Sequence, residues 1–453
     1  MRKLFFILLL LTGHRLLAQD PALDTILEQM KFAAKDLLID KYYPRNIDHE
    51  YGGYISNYTY DFKPTEKQEK MIVTQARHIW STARAAEFFH DTSFIGYSKH
   101  GFYFLRDKMW DKEYGGFYSL VTREGKPVTT NKDAYGNAFG VYGLSALYKA
   151  SGDAAVLALA KKAFGWLEKH SHDPVHKGYF MHLERSGKPI VRPASTPSTS
   201  DLGYKDQNSS IHLLEALTEL YSVWPDPLVK ERLNEMLTLI RDTIVTRKGY
   251  LTLFLTPDWK PISFHNTPRE NILKHHSLDH VSFGHDIETA YLLIEASTVL
   301  GLMPDTTTYR ISKKMVDHAI GNGWDSDLGG LYDEGYYFTE DGPITIIADT
   351  KNWWAQAEAL NTLLLYAAMY AQDHSVPHPD YLDYFEKEWQ YCQKYLIDHV
   401  NGDWYEGGID KQPDKRKSRK AHIWKGPYHV FRSLMNCIEI LENERDKLTN
   451  ESE

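Results

Sequence analysis

The stretch SFGHDIETAYLLIEA, residues 282–296, puts His285, Asp286 and Glu288 into the first turn of a segment that is otherwise apolar. Carboxylates belong at a helix start, where unpaired N–H groups and the macrodipole favour negative charge. A histidine gains nothing from that field. It is disfavoured there as imidazolium, which keeps the ring neutral and able to accept a proton near pH 7. His429 of PYHVFR and His212 of NSSIHLLEA stand in corresponding places of separate segments. Three imidazoles so repeated point to general acid–base chemistry, with His285 and His429 poised as bases.

Other residues suited to a polar cavity occupy the same first turns: Arg77, Tyr135 with Asn137, Asn208, Trp353 with Trp354, and Glu358. Asn208 and His212 are four apart, as are Trp354 and Glu358, while His285 and Glu288 are three apart, so each pair shares a helix face. Glu288 is expected to orient His285 or tune its basicity. Arg77 heads an apolar helix and needs an anionic or polar partner, from the protein or from a ligand. Asp286, Glu288 and Glu358 also offer the paired carboxylates of a glycoside hydrolase, a reading that leaves the histidines without a task. LKHHSLDH, residues 273–280, gathers His275, His276, Asp279 and His280, but at a spacing that matches no zinc pattern, so no metal is expected.

These first turns belong to six segments that are apolar nearly all round, at 74–89, 133–150, 206–224, 282–297, 350–370 and 427–442. Helices of that kind are buried. They alternate with amphipathic segments, among them 22–40, 94–110, 153–171 and 227–245, whose single apolar stripe suits an outer position. A turn recurs between them, as DHEYGGY at 48, DKEYGGF at 111, DPVHKGY at 173 and DSDLGGL at 325, with weaker echoes near 246 and 399. Acidic residue, glycines and then a large apolar side chain read as a short hairpin. Six inner and six outer helices in alternation specify an all-α (α/α)6 barrel with short β-hairpins in its connecting loops, one domain over residues 20–453. The inner helices then run one way and their first turns meet at one mouth. Thr74, Asp133, Ser282 and Asn352 are the expected N-caps, with Pro427 at a first helical position.

Composition narrows the class. Net charge is −9 over 453 residues, and the one basic run, DKRKSRK at 414–420, sits in a polar loop, so nucleic acid is not an expected partner. Thirty Tyr, 19 Phe and 11 Trp supply flat rings with polar edges, suited to sugar faces. Residues 1–19, with Arg2, Lys3, an apolar run from Leu4 to Leu11 and a cut after Ala18, read as a signal peptide of an exported protein. No later stretch is apolar enough for a membrane span. Cys392 and Cys437 lie in predicted helices as buried thiols, with one disulfide open to them in an oxidising compartment.

Through QARHIWSTARA, KDAYGNAF, NSSIHLLEALTELYSVW, FGHDIE, KNWWAQAEAL and WKGPYHVFR, from residue 75 to 432, the chain resembles the N-acylglucosamine 2-epimerase superfamily, most closely its cellobiose 2-epimerase branch. The resemblance implies the same barrel and a reaction that inverts carbon 2 of a reducing-end sugar without a redox cofactor. It implies His285 and His429 as the acid/base pair, His212 in ring opening and hydrogen bonding, and Arg77 on the enediolate oxygens. Tyr135, Asn208, Glu288, Trp354 and Trp424 match substrate-binding or supporting positions. Ser209, Ser210, Ala355 and Gly426 depart from the residues usual in that family and shape the subsites. The expected partner is a small sugar, a disaccharide of the cellobiose or mannobiose type, with no cofactor. An aldose–ketose isomerase of the mannose isomerase type, a hydrolase on the same barrel and a secreted glycan-binding protein are the alternatives.

Overall fold

The computed structural model describes residues 21–370 and 378–451, so the expected signal peptide lies outside the described residues. The barrel helices are α1 (Pro21–Ala34), α2 (Ile72–Phe88), α3 (Ser93–Phe104), α4 (Ala134–Ser151), α5 (Ala154–His170) and α6 (Gln207–Val223). They continue as α7 (Pro227–Leu239), α8 (Phe283–Val299), α9 (Thr306–Gly323), α10 (Trp353–Tyr370), α11 (Tyr381–Tyr395) and α12 (Tyr428–Glu451). Even-numbered helices form the inner ring. Each packs on the next and α12 returns to α2, which closes an (α/α)6 barrel. Each odd-numbered helix from α3 onward covers the inner helix before it, and α1 covers α12. The apolar residues of both rings form one continuous core, with a small satellite of Val281, Phe283, Ala319 and Tyr337 beneath the longest hairpin.

Aspartate starts many of these helices. Asp133 accepts from the Gly136 N–H, Asp206 from Ser209, Asp226 from Leu228, with Pro227 pre-set at the first position, and Asp305 from Thr308. Two expected starts are corrected, and a third holds without its side-chain cap bond. Thr74 is not a cap, because α2 begins at Ile72 out of a strand pairing of Lys70–Met71 with Leu120–Val121, and the Thr74 hydroxyl donates instead to the Ile423 carbonyl. Ser282 holds the cap position but spends its hydroxyl on His285. Pro427 stands one residue before the first helical position. At the α2–α4 contact, a Cβ on Gly143 would lie 2.5 Å from the Ala76 carbonyl oxygen, so only glycine allows the two inner helices this approach.

The repeated turns are hairpins, closed by Ile47 with Tyr54, Trp110 with Phe117, His172 with Tyr179 and Trp324 with Leu331, and the two weaker echoes close the same way. Their aspartates hold more than the turn. Asp48, Asp111, Asp173 and Asp325 each pair with a buried lysine just ahead of the next inner helix: Lys70 at 2.8 Å, Lys132 at 3.0 Å, Lys205 at 2.8 Å and Lys351 at 2.8 Å. In the fourth repeat both charges are missing together, with Thr246 and Val281 in their places. A buried charge without its partner is costly, so the two are lost as a pair or not at all. No described helix is long and apolar enough to cross a membrane, and Cys392 and Cys437 are buried free thiols.

Candidate active site

The heads of the inner helices meet, and α12 brings the densest set. Arg432, 2% exposed, sends Nη2 to Glu288 Oε1 at 2.5 Å and to Glu358 Oε1 at 2.6 Å, and Nη1 to the Tyr428 hydroxyl at 2.6 Å and to Glu215. Three carboxylates from three helices thus face one guanidinium. Two of them also hold imidazoles: Glu358 Oε1 lies 2.7 Å from His429 Nδ1, and Glu215 Oε2 lies 2.8 Å from His212 Nδ1. Anchoring Nδ1 leaves Nε2 as the working nitrogen of each ring.

His285 is held differently. Its Nδ1 is 2.8 Å from the Ser282 hydroxyl, and its ring lies against Trp354 with centroids 4.6 Å apart. The same indole is 5.8 Å from the His429 ring. Both imidazoles therefore border one tryptophan at the half-buried mouth. The His212 ring stands 5.3 Å from Tyr135, which in turn lies 6.4 Å from Trp424, the most exposed of these aromatics at 46%. Arg77 donates to the Tyr135 hydroxyl at 3.3 Å and stacks on Phe139 and Tyr428, at 4.4 and 4.9 Å. It is 7% exposed, its Nε has no partner, and no described carboxylate pairs with it. A desolvated cation without a counter-charge is a ready acceptor for developing negative charge.

Electrostatics separates the titrating groups. Loss of water pushes His285 down to about 3, with His212 and His280 adding to the effect. Burial, then the charges of Arg77 and Arg432, hold His429 well below the ordinary imidazole value. Both rings are neutral at pH 7, as the sequence suggests, but the leading cause is desolvation and not the helix field. Burial would raise Glu215, yet Arg432 and His212 overcome it and hold it at about 2. Glu358 goes the other way, up to about 8, because burial and the Glu288 charge outweigh the pull of Arg432. One guanidinium does not fully neutralise three carboxylates, so Glu358 gains and loses its proton near neutrality.

His212, His285, His429, Arg77, Tyr135, Glu288, Trp354 and Trp424 are all joined in this one network of contacts, and Asn208 sits half-buried one turn before His212. Three sequence readings change. Glu288 does not hold His285; it serves Arg432 and stands 3.9 Å from His429. Asn137 faces the outer layer, where its Oδ1 accepts the Phe117 N–H. Asp286 likewise accepts the Leu251 N–H and is no candidate acid. Glu288 and Glu358 share one guanidinium within 4.8 Å of each other and of His429, so they do not flank a cleft as a hydrolytic pair would. That same trio could ligate a metal by distance, but Arg432 already supplies its positive charge. The 273–280 histidines are tied into the fold: His275 stacks on Phe264 at 4.2 Å and meets the Ser198 hydroxyl at 2.8 Å. Sequence reasoning missed Glu215, Tyr428 and Arg432. Two of them were within reach of the spacing rule, since Glu215 follows His212 by three residues and Arg432 follows His429 by three.

The sequence model of the N-acylglucosamine 2-epimerase (GlcNAc 2-epimerase) family matches residues 53–433. The cellobiose 2-epimerase of Bacteroides fragilis is 28% identical over 92% of this chain and 100% of its own length. That of Ruminococcus albus is 29% identical over 86% of this chain and 93% of its own. The solved cellobiose 2-epimerase of Bacillus thermoamylovorans superposes with a TM-score of 0.78 at 25% identity, covering 92% of this chain and 99% of that one.

Proposed function

The chain belongs to the N-acylglucosamine 2-epimerase family, and from that membership we propose that it is a cofactor-independent carbohydrate epimerase inverting carbon 2 of the reducing-end unit of a β-linked disaccharide, of the cellobiose or mannobiose type. The observation that carries the reading is the meeting of His285 and His429 on one indole, beside a guanidinium that no described carboxylate neutralises.

His212, fixed by Glu215, assists opening of the sugar ring, which exposes an aldehyde next to carbon 2. The C2–H bond then breaks toward the Nε2 of one imidazole, and its electrons pass into an enediolate whose oxygen charge Arg77 receives. Rotation about the bond between carbons 2 and 3 turns the other face to the second imidazole, which takes up a proton from solvent once the enediolate has formed and passes it to carbon 2. A buried imidazole of low proton affinity is by itself a weak base. His429 escapes that limit through the ionised form of Glu358: as Nε2 gains a proton, Nδ1 passes its own to the carboxylate. No imidazolium is then stranded in an apolar site, and the dyad works at the proton affinity of Glu358, near neutrality. For His285 the negative enediolate supplies the missing affinity. Trp354 and Trp424 present faces to the two sugar units.

Incubation with cellobiose, mannobiose or mannose in deuterated water tests the reading. Deuterium at carbon 2 of an intact disaccharide with inverted configuration is expected. A ketose instead would assign an isomerase, and released monosaccharide a hydrolase. Export by residues 1–19 belongs to the same proposal; a mature N-terminus following Ala18 in protein from its natural host would support it.

A further inference from the structure

The basic run at 414–420 takes no part in the site above, yet it lies beside it. Lys417 and Arg419, with Lys67, Glu69, Glu406 and His422, line a cleft of about 570 Å³, well within the roughly 300–1,000 Å³ of small-molecule sites. The cleft wall includes Ile423, whose carbonyl is tied to Thr74 at the head of α2 and whose chain neighbour is Trp424 at the mouth. One step along the chain thus separates the cleft wall from the ring at the mouth.

The charges within it are unevenly satisfied. Glu406 is paired twice, with Lys415 at 2.7 Å and His422 at 3.1 Å, and these contacts hold its carboxyl at about 2 against burial. Glu69 is paired with Lys67 at 3.0 Å. Lys417 and Arg419 have no carboxylate partner among the described residues; Arg419 makes only a 3.3 Å bond to the Asn57 side-chain oxygen. In a chain of net charge −9, two uncompensated cations beside a sugar-sized cleft are a local reversal of sign.

We propose that this cleft receives an anionic substituent on the sugar unit beyond the reducing end: a uronic-acid carboxylate, or a sulfate or phosphate ester. The proposal rests on the epimerase reading and narrows its substrate to acidic glycan fragments. The two cations act on binding alone, because neither catalytic histidine lines the cleft.

The test compares the protein with its Lys417→Ala/Arg419→Ala variant on cellobiose, on the β-1,4 disaccharide of glucuronate and glucose, and on cellobiose carrying a 6-sulfate on its non-reducing unit. The variant should raise KM for an acidic disaccharide about three- to tenfold, the range of two exposed, screened ion pairs, with kcat and the cellobiose constants unchanged. High salt should erase the difference. A larger effect on glucuronate than on sulfate names the carboxylate as the source, and the converse names the ester. Equal KM values for both acids in the two proteins would overturn the proposal, as would an equal rise for cellobiose, which would mean a neutral subsite. Should no disaccharide turn over, calorimetric titration with the glucuronate disaccharide decides separately: tighter binding to the unaltered protein keeps the cleft, and equal binding ends it.

Discussion

Replacing Glu358 with Gln isolates the step on which the mechanism turns. The amide keeps an oxygen that can accept from His429 Nδ1 at the present 2.7 Å, so the ring stays in place. It cannot take the proton. The dyad's affinity, set by a carboxyl raised to about 8, falls back to that of an imidazole held well below its ordinary value. A positioned acid–base group contributes about 10²–10⁴-fold, so kcat should drop by about that factor, or roughly 2.7–5.5 kcal/mol at about 1.36 kcal/mol per decade, with KM nearly unchanged. Stability should move the opposite way. A carboxyl whose folded value is about 8 against the ordinary 4.5 binds more protons in the folded state, so its contribution is present at low pH and lost as pH rises through that window. Gln cannot ionise and removes the loss. Urea melts should therefore find Glu358→Gln at least as stable as the parent at pH 8, by a margin that grows from pH 5. Exchange of the carbon-2 proton of cellobiose, followed by NMR in deuterated water, reads the rate. A variant retaining kcat within about threefold, or destabilised more at pH 8 than at pH 5, would refute the coupling of Glu358 to His429.

Other consequences are as direct. Arg432→Leu removes the one guanidinium shared by Glu215, Glu288 and Glu358; breaking such a buried set costs about 3–5 kcal/mol, which a denaturant titration would show, and loss of less than about 1 kcal/mol would contradict it. Lys205→Met strands Asp173, both being nearly fully buried, and should cost a similar amount without altering KM of the folded fraction. Trp424→Ala, at an exposed ring, should raise KM for the disaccharide several-fold and leave kcat and melting temperature alone.

Much of the fold is legible in the chain because its signals are local. All-round apolar segments, single-stripe segments and a glycine turn at regular intervals need no partner to be recognised, and they place the histidines on the heads of the inner helices. Errors arise where the answer depends on a neighbouring helix. Glu288 shares a face with His285, but which group it meets is decided by Arg432 reaching across from α12. Asp286 and Glu288 stand two residues apart and so point about 160° apart on a helix, one to the Leu251 hairpin and one to Arg432. Thr74 looks like a cap until the strand at Lys70–Met71 carries the helix start three residues further back. The neutral state of the histidines is foreseeable from position, whereas its main cause, desolvation, exists only once the ring of helices has closed.

The most direct measurement is carbon-2 deuterium incorporation into cellobiose by His285→Ala and by His429→Ala, each first shown to be folded by its circular dichroism. Turnover should be lost in both, because each ring serves one face of the same carbon. Near-full epimerisation by either variant would contradict the two-imidazole mechanism.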